Sequence, residues 1–180
     1  GDTRVESGVL FALGEVALYA EFGFEGAVIS GNIVDGAATG ISITNFNEGG
    51  RLAVCQGNLI RNITRGDVKN GQGTGIAVEA DASVTGNVIE KALYAGVLAG
   101  DGKYLRDVAI NSNVIRSAPI GIGVSMSEGA GSALVADNLI AGASTGAVVG
   151  MDRRRIITGD LTKEDASRYA QVTLSGNRVQ

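Results

Sequence analysis

The chain has 180 residues, a formal net charge of −4 and 44% hydrophobic residues, which suits one folded domain and excludes a disordered chain. The acidic balance argues against a duplex nucleic-acid ligand, because phosphate contacts need a basic surface. With no histidine a His-based triad is excluded, and a single cysteine, Cys55, excludes an intramolecular disulfide. No apolar run is long enough to predict a membrane span.

A short phrase recurs along the chain: a small or polar residue, then Asn, then two mostly aliphatic residues. Its Asn residues lie 26, 29, 26, 25 and 39 positions apart and are Asn32, Asn58, Asn87, Asn113, Asn138 and Asn177. A unit of about 26 residues that is lengthened twice is typical of a solenoid. The 28 glycines and the single proline favour many tight corners rather than a Pro-rich linker.

Each unit contains three short segments in which alternate residues are aliphatic. One precedes the Asn, as with Ala27 and Ile29, a second follows it, and a third follows a Gly such as Gly40. Strands of period two between corners of Gly, Asn, Ser and Asp predict an all-β fold, a right-handed single-stranded parallel β-helix of about six to seven coils. Residues 1–13 fit part of such a coil, so we expect preceding coils or a partner to cover them.

The Asn phrase has a structural explanation. One corner residue commonly adopts the left-handed conformation, which Asn tolerates, and Asn side chains stacked at successive corners can hydrogen-bond along the stack. We therefore interpret the six Asn residues as a structural ladder rather than a ligand site. By the same alignment Cys55 shares a column with Ile29 and Val84, so it is predicted to be a buried apolar residue rather than a nucleophile.

Two units carry extra residues. The second contains a polar insertion over 64–73, and the last contains an insertion over 151–171 that we expect to cap the stack within the single domain 1–180. A short helix is predicted there, with Thr162 as its N-cap, Asp165 at the capping-box position and its end near Tyr169.

Five stretches of the chain resemble a family of twin-arginine-exported bacterial repeat proteins of uncharacterised function. They are Ala20–Ala27, Asn45–Ala53, Val78–Asp81, Tyr104–Val108 and Val149–Asp152. The resemblance covers nearly the whole chain and implies a periplasmic or secreted β-helix of which these residues form the C-terminal part. It supplies no catalytic residues.

Charged and amide residues collect at the corner that follows the third strand of each unit. We interpret Asn45, Asn47, Glu48, Arg51, Asp101 and Asp152 as ligand-binding residues, and Glu79, Asp81, Lys103 and Arg106 as candidate catalytic residues. Stacked carboxylates and amides would suit Ca²⁺, the one cofactor this pattern suggests. Lys103 or Arg106 beside them would neutralise and deprotonate a sugar acid, as in β-helical lyases and epimerases.

Two functions stay open at this point. The first is an exported β-helix that binds an acidic polysaccharide, with or without a lyase-like or epimerase-like activity. The second is a noncatalytic structural or interaction module of the cell envelope, which docks a partner or a second copy through an outer sheet or an edge. Convergence of Glu79, Asp81, Asp101 and Lys103 in one concave groove is the geometry that catalysis requires.

Overall fold

The computed structural model describes the backbone of residues 3–6 and 9–11, and the backbone and side chains of residues 15–45 and 50–180. Its strands are β1 (Thr3–Glu6), β2 (Val9–Phe11), β3 (Val16–Glu21), β4 (Glu25–Ser30), β5 (Ile33–Asp35), β6 (Thr39–Thr44), β7 (Arg51–Gln56), β8 (Leu59–Ile63), β9 (Thr74–Val78), β10 (Ala82–Thr85), β11 (Val88–Ala92), β12 (Ala95–Ala99), β13 (Val108–Asn111), β14 (Val114–Arg116), β15 (Ile120–Ser125), β16 (Ala133–Ala136), β17 (Leu139–Ala141), β18 (Gly146–Asp152), β19 (Arg155–Asp160), β20 (Val172–Ser175) and β21 (Arg178–Val179). Single 3₁₀ turns lie at Val68–Asn70 and Ala166–Arg168.

The strands form three sheets that run the length of the stack. Sheet A has the order β1-β4-β7-β10-β13-β16-β20, sheet B the order β2-β5-β8-β11-β14-β17-β21, and sheet C the order β19-β18-β15-β12-β9-β6-β3. All neighbours pair in parallel except β18 and β19, which are antiparallel. Each coil thus adds one strand to every sheet, and the predicted parallel β-helix is confirmed.

The interior consists of aliphatic columns that continue from coil to coil. In sheet B the inward column is Val34, Ile60, Ile89, Ile115 and Ile140, each in register with the next and each at most 1% exposed. Burying side chains of this size stabilises the fold by about 1.5–3 kcal/mol each. Cys55 lies in the predicted column between Ile29 and Val84 and is fully buried, which raises the pKa of its thiol to about 12.

The predicted Asn ladder is present. The backbone N–H and the side-chain amide of Asn58 both donate to Oδ1 of Asn87, at 3.0 and 2.9 Å. The Asn58 amide also donates to the carbonyl of Ile29 in the preceding coil, at 3.1 Å. The same pattern joins the other pairs, Asn32–Asn58, Asn87–Asn113, Asn113–Asn138 and Asn138–Asn177. These bonds satisfy corner amides that no strand partner reaches.

The left-handed residue of this corner is not the Asn, as the sequence analysis assumed, but the residue before it. Gly31, Gly57, Gly86 and Gly176 have φ between 62° and 66°, and Ser112 and Asp137 have φ of 55° and 54°. Gly adopts this region without steric cost, and Asp tolerates it better than most residues. Asn is therefore selected at the corner by its hydrogen bonds and not by its backbone conformation.

The insertion after β18 differs from the predicted helix. It begins with strand β19, and its helical part is only the 3₁₀ turn Ala166–Arg168, which Asp165 rather than Thr162 caps by accepting from the Ser167 N–H at 3.1 Å. Asp160 accepts hydrogen bonds from the Ala147 and Thr162 N–H groups, both at 3.1 Å. The insertion thus covers the last parallel strand of sheet C with an antiparallel strand and a carboxylate, which protects a sheet edge.

Candidate functional site

The corner between sheets C and A brings Asp81 and Arg106 together as a pair. Arg106 donates from Nε and Nη2 to the two carboxylate oxygens of Asp81, at 2.8 and 3.1 Å, and Nη2 also lies 3.3 Å from the carbonyl of Gly50. Their backbones are joined as well, since the Asp81 N–H donates to the Arg106 carbonyl at 2.8 Å. This bidentate geometry, together with the contact to Gly50, joins three corner segments and is typical of a structural ion pair.

Glu79 is buried in the same corner, with 2% of its surface exposed. Its Oε2 accepts from the backbone N–H of Asn45 in the preceding coil, at 2.7 Å, and the Asn45 side-chain amide donates to the carbonyl of Gly50 at 2.8 Å. Glu79 and Asn45 therefore shape the turn that leaves β6. Asn47 and Glu48, which the sequence analysis also assigned to the site, lie outside the described residues.

The remaining predicted residues are spread along the corner. Arg51 forms an exposed ion pair with Glu25 across β4 and β7. Asp152 accepts from the Ser127 hydroxyl at 2.7 Å and from Arg155 at 3.1 Å, and these two hydrogen bonds hold the pKa of its carboxyl below its usual range. The ammonium of Lys103 lies 5.5 Å from the centre of the Tyr104 ring. Among the described residues, no three Asp, Glu or Cys side chains form a group that could hold a metal.

A concave groove of about 250 Å³ lies on the outer face of sheet C, and it holds only part of the predicted set. Glu79 and Asp101 line it, whereas Asp81 and Lys103 do not. Its floor is built from outward side chains of successive strands, Ser42, Ala77 and Leu98, which are in register across β6, β9 and β12. The small side chains of Ser42 and Ala77 leave a depression in this face, and the larger side chain of Leu98 bounds the depression on one side.

The two insertions meet to form one wall of the groove. Arg154, in the turn between β18 and β19, donates from Nη1 to the carbonyl of Lys69 at 3.1 Å. The hydroxyl of Tyr94 donates to the carbonyl of Arg154 at 3.3 Å, and Asn70 and Gln72 also line the groove. Burial raises the pKa of Tyr94, with Arg154 acting in the opposite direction. Segments more than eighty positions apart are thereby fixed against each other.

Tyr19 stands at the other end of the groove, with half of its surface exposed. Burial and a hydrogen bond with Glu21 raise the pKa of its hydroxyl. A hydrogen bond with Thr44 acts on this pKa in the opposite direction. The Asn45 Oδ1, which lies outside the groove lining, is a buried polar atom with no hydrogen-bond partner among the described residues. The groove thus offers two aromatic faces, hydroxyl and amide groups, and the exposed residue Arg153.

Sequence reasoning found Glu79 and Asp101 but missed Tyr19, Tyr94 and Arg154. The available signal was the pair of insertions: 64–73 and 151–171 are the two places where the repeat lengthens, and they meet at the groove. A wider depression of about 670 Å³ lies beneath the Ala166–Arg168 turn, at the end of the stack formed by β20 and β21. It contains no residue predicted for binding or catalysis, so the groove on sheet C is the candidate site.

In comparisons with known proteins, no family model, no curated protein and no solved structure matches this chain. The sheet topology and the Asn hydrogen bonds define the class of the protein, a parallel β-solenoid with an Asn ladder. Within the described ranges, no helix is long and apolar enough to cross a membrane.

Proposed function

We propose that the chain binds an acidic polysaccharide in the groove on sheet C, as a binding module without catalysis. The observation that carries the proposal is the lining of the groove, which combines Tyr19 and Tyr94 with hydroxyl, amide, guanidinium and carboxylate groups. Sugar rings stack on aromatic faces, and their hydroxyls bind planar polar side chains. Arg153, exposed along the groove, is the group suited to a sugar carboxylate.

The hydrogen bonds that Asp81 and Glu79 accept favour a binding function over a catalytic one. A lyase or epimerase needs a base that reaches the substrate, but both oxygens of Asp81 accept from Arg106 and the Glu79 carboxylate accepts from Asn45. We therefore expect uronate polymers to be bound and released unchanged. We further propose, from the resemblance to exported repeat proteins, that the polymer belongs to the bacterial envelope or its matrix.

Calorimetric titration with a uronate oligomer tests this function. The Tyr19→Ala and Arg153→Ala variants should each weaken binding by about tenfold or more, because they remove a stacking face and a charge-assisted hydrogen bond. Tyr169→Ala and Arg168→Ala are the matched controls, since both residues lie outside the groove, and they should bind as the unmodified chain does.

A neutral oligosaccharide separates the two parts of the proposal. Arg153→Ala should reduce binding of the uronate oligomer to the level of the neutral one, whereas Tyr19→Ala should weaken both. Absence of uronate binding, or equal loss in the control variants, would contradict the proposal. Appearance of an unsaturated product or an epimer during incubation would overturn its noncatalytic part.

The alternative function, an interaction module, is supported by a separate observation: the outer face of sheet B carries a column of aliphatic residues.

A further inference from the structure

The outer face of sheet B carries an unbroken aliphatic column. Its members are in register from coil to coil and are Ile33, Leu59, Val88, Val114 and Leu139. Val88 is 40% exposed and the other four are half-buried. Five aliphatic side chains aligned on a sheet face form a continuous apolar strip, in contrast to scattered surface residues.

A column of charges runs beside this strip, two residues further along each strand. It contains Asp35, Arg61, Glu90 and Arg116, so the sign alternates from one coil to the next. Asp35 and Arg61 are joined at 2.9 Å, and the Asn62 amide donates to Asp35 at 2.7 Å. Hydrogen bonds from Asn62 and Arg61 hold the pKa of Asp35 below its usual range.

We propose that this face packs against the same face of a second copy, with the two stacks antiparallel. The two-fold axis runs along the strand direction, between the coils of Leu59 and Val88. Rotation about this axis reverses the order of the coils but preserves position along the strand. The aliphatic strip of one copy therefore lies on the aliphatic strip of the other. It also sets Arg61 against Glu90 of the other copy, and Asp35 against Arg116.

Charge complementarity selects this arrangement. A parallel packing, about a two-fold axis along the stack, reverses the direction of the strands, so with the strips in contact it leaves the two charge columns on opposite sides of the interface, where no charge faces an opposite one. In the antiparallel packing all four charges of each copy face an opposite charge. The alternation of sign is therefore self-complementary in only one of the two orientations.

The dimensions of the face predict a weak dimer. Seven strands of two to five residues cover about 30 Å by about 10–15 Å, at the usual strand spacing and rise. Two such faces bury roughly 600–900 Å² in total, which is below the size of standard specific interfaces, so we expect a weak, transient dimer. The groove on sheet C lies on another face of the solenoid and stays open in this dimer.

Sedimentation velocity over a concentration series tests the surface. Val88→Lys should weaken self-association by at least about tenfold, because the charge is buried in the strip. Leu134→Lys is the matched control, since Leu134 lies on sheet A and is 42% exposed, and it should associate as the unmodified chain does. A chain that stays monomeric at every concentration, or a dimer lost only in Leu134→Lys, would overturn the proposal.

Charge reversal tests the orientation. Arg61→Glu and Glu90→Arg should each weaken self-association, because Arg61 and Glu90 then meet like charges twice per dimer. An equimolar mixture of the two variants should associate as the unmodified chain does, since all facing pairs in the mixed dimer are again opposite. Urea unfolding of each variant checks that it is folded. Single variants that associate as the unmodified chain does would overturn the antiparallel packing.

Discussion

The side chain of Asn87 joins three successive coils. Its Oδ1 accepts from both amides of Asn58, its Nδ2 donates to Oδ1 of Asn113 at 3.0 Å, and the same Nδ2 donates to the carbonyl of Cys55 at 3.0 Å. The residue is completely buried, so water cannot replace these bonds. A single substitution therefore leaves several buried groups unpaired.

We expect Asn87→Ala to lower the free energy of unfolding by about 3 kcal/mol, because buried donors and acceptors in the neighbouring coils lose their hydrogen-bond partners. Asn111→Ala is the control, because Asn111 bonds Thr85 on the outer face and water can reach both. It should cost at most about 1 kcal/mol. Urea unfolding measures both values, and equal losses would contradict the role of the ladder.

Asp160 is the residue whose ionisation stabilises the covered end of sheet C. Burial raises the pKa of its carboxyl, but hydrogen bonds from Ala147, Thr162 and Val148 outweigh burial and hold the pKa below its usual range. A carboxyl with a lowered folded-state pKa contributes stability above its unfolded pKa and loses that contribution as the pH falls toward the folded value.

We therefore expect Asp160→Asn to lower the free energy of unfolding by about 1–3 kcal/mol at neutral pH, and the difference from the unmodified chain to shrink as the pH falls below about 4. Glu128→Gln, at an exposed position, is the control for the change itself and should leave the free energy of unfolding at neutral pH within about 0.5 kcal/mol of that of the unmodified chain. Urea unfolding at several pH values is the measurement. A difference that stays constant with pH would mean that the charge of Asp160 contributes nothing.

At the scale of the element, a column of small residues lets sheets B and C meet at their shared corner. A Cβ on Gly75 would lie 2.6 Å from the carbonyl oxygen of Gly96 and 2.7 Å from Cγ2 of Ile89. Gly40, Gly96 and Gly121 have the same surroundings in other coils, each facing a neighbouring backbone oxygen and an isoleucine of sheet B. The repeated Gly that the sequence shows is thus required by packing and not by a turn.

Gly75→Ala should therefore destabilise the fold by about 1–3 kcal/mol, because the coils on either side must move apart to admit the methyl group. Gly23→Ala is the matched control, since a Cβ there has no atom within 4 Å. Thermal unfolding compares the two. An unchanged melting temperature for Gly75→Ala would show that the coil spacing is adjustable.

At the scale of the whole molecule, local periodicity predicts the three sheets but not the groove. Asn32, Asn58 and their equivalents set the register of every coil, and alternate residues such as Ile41 and Ile43 mark the inward faces. The solenoid can therefore be predicted from short sequence patterns that repeat in each coil. The corner pairs also follow this order, since Asp81 and Arg106 lie one coil apart.

The groove depends on a contact that no repeat encodes. Lys69 and Arg154 meet because one insertion projects from the second unit and the other folds back from the last strand of sheet C. Their separation along the chain gives no indication of this meeting. The predicted corner column also contains Asp81 and Lys103, which follow Glu79 and Asp101 by two positions in the chain but do not line the groove.

Amide chemical shifts of the labelled chain test most directly whether an acidic oligosaccharide occupies the groove on sheet C. On addition of a uronate oligomer, we predict shift changes concentrated at Tyr19, Ser42, Leu98, Asp101 and Arg153, with the outer face of sheet B unchanged. Changes centred on the depression near Tyr169, or no changes at a saturating concentration of the oligomer, would contradict the claim.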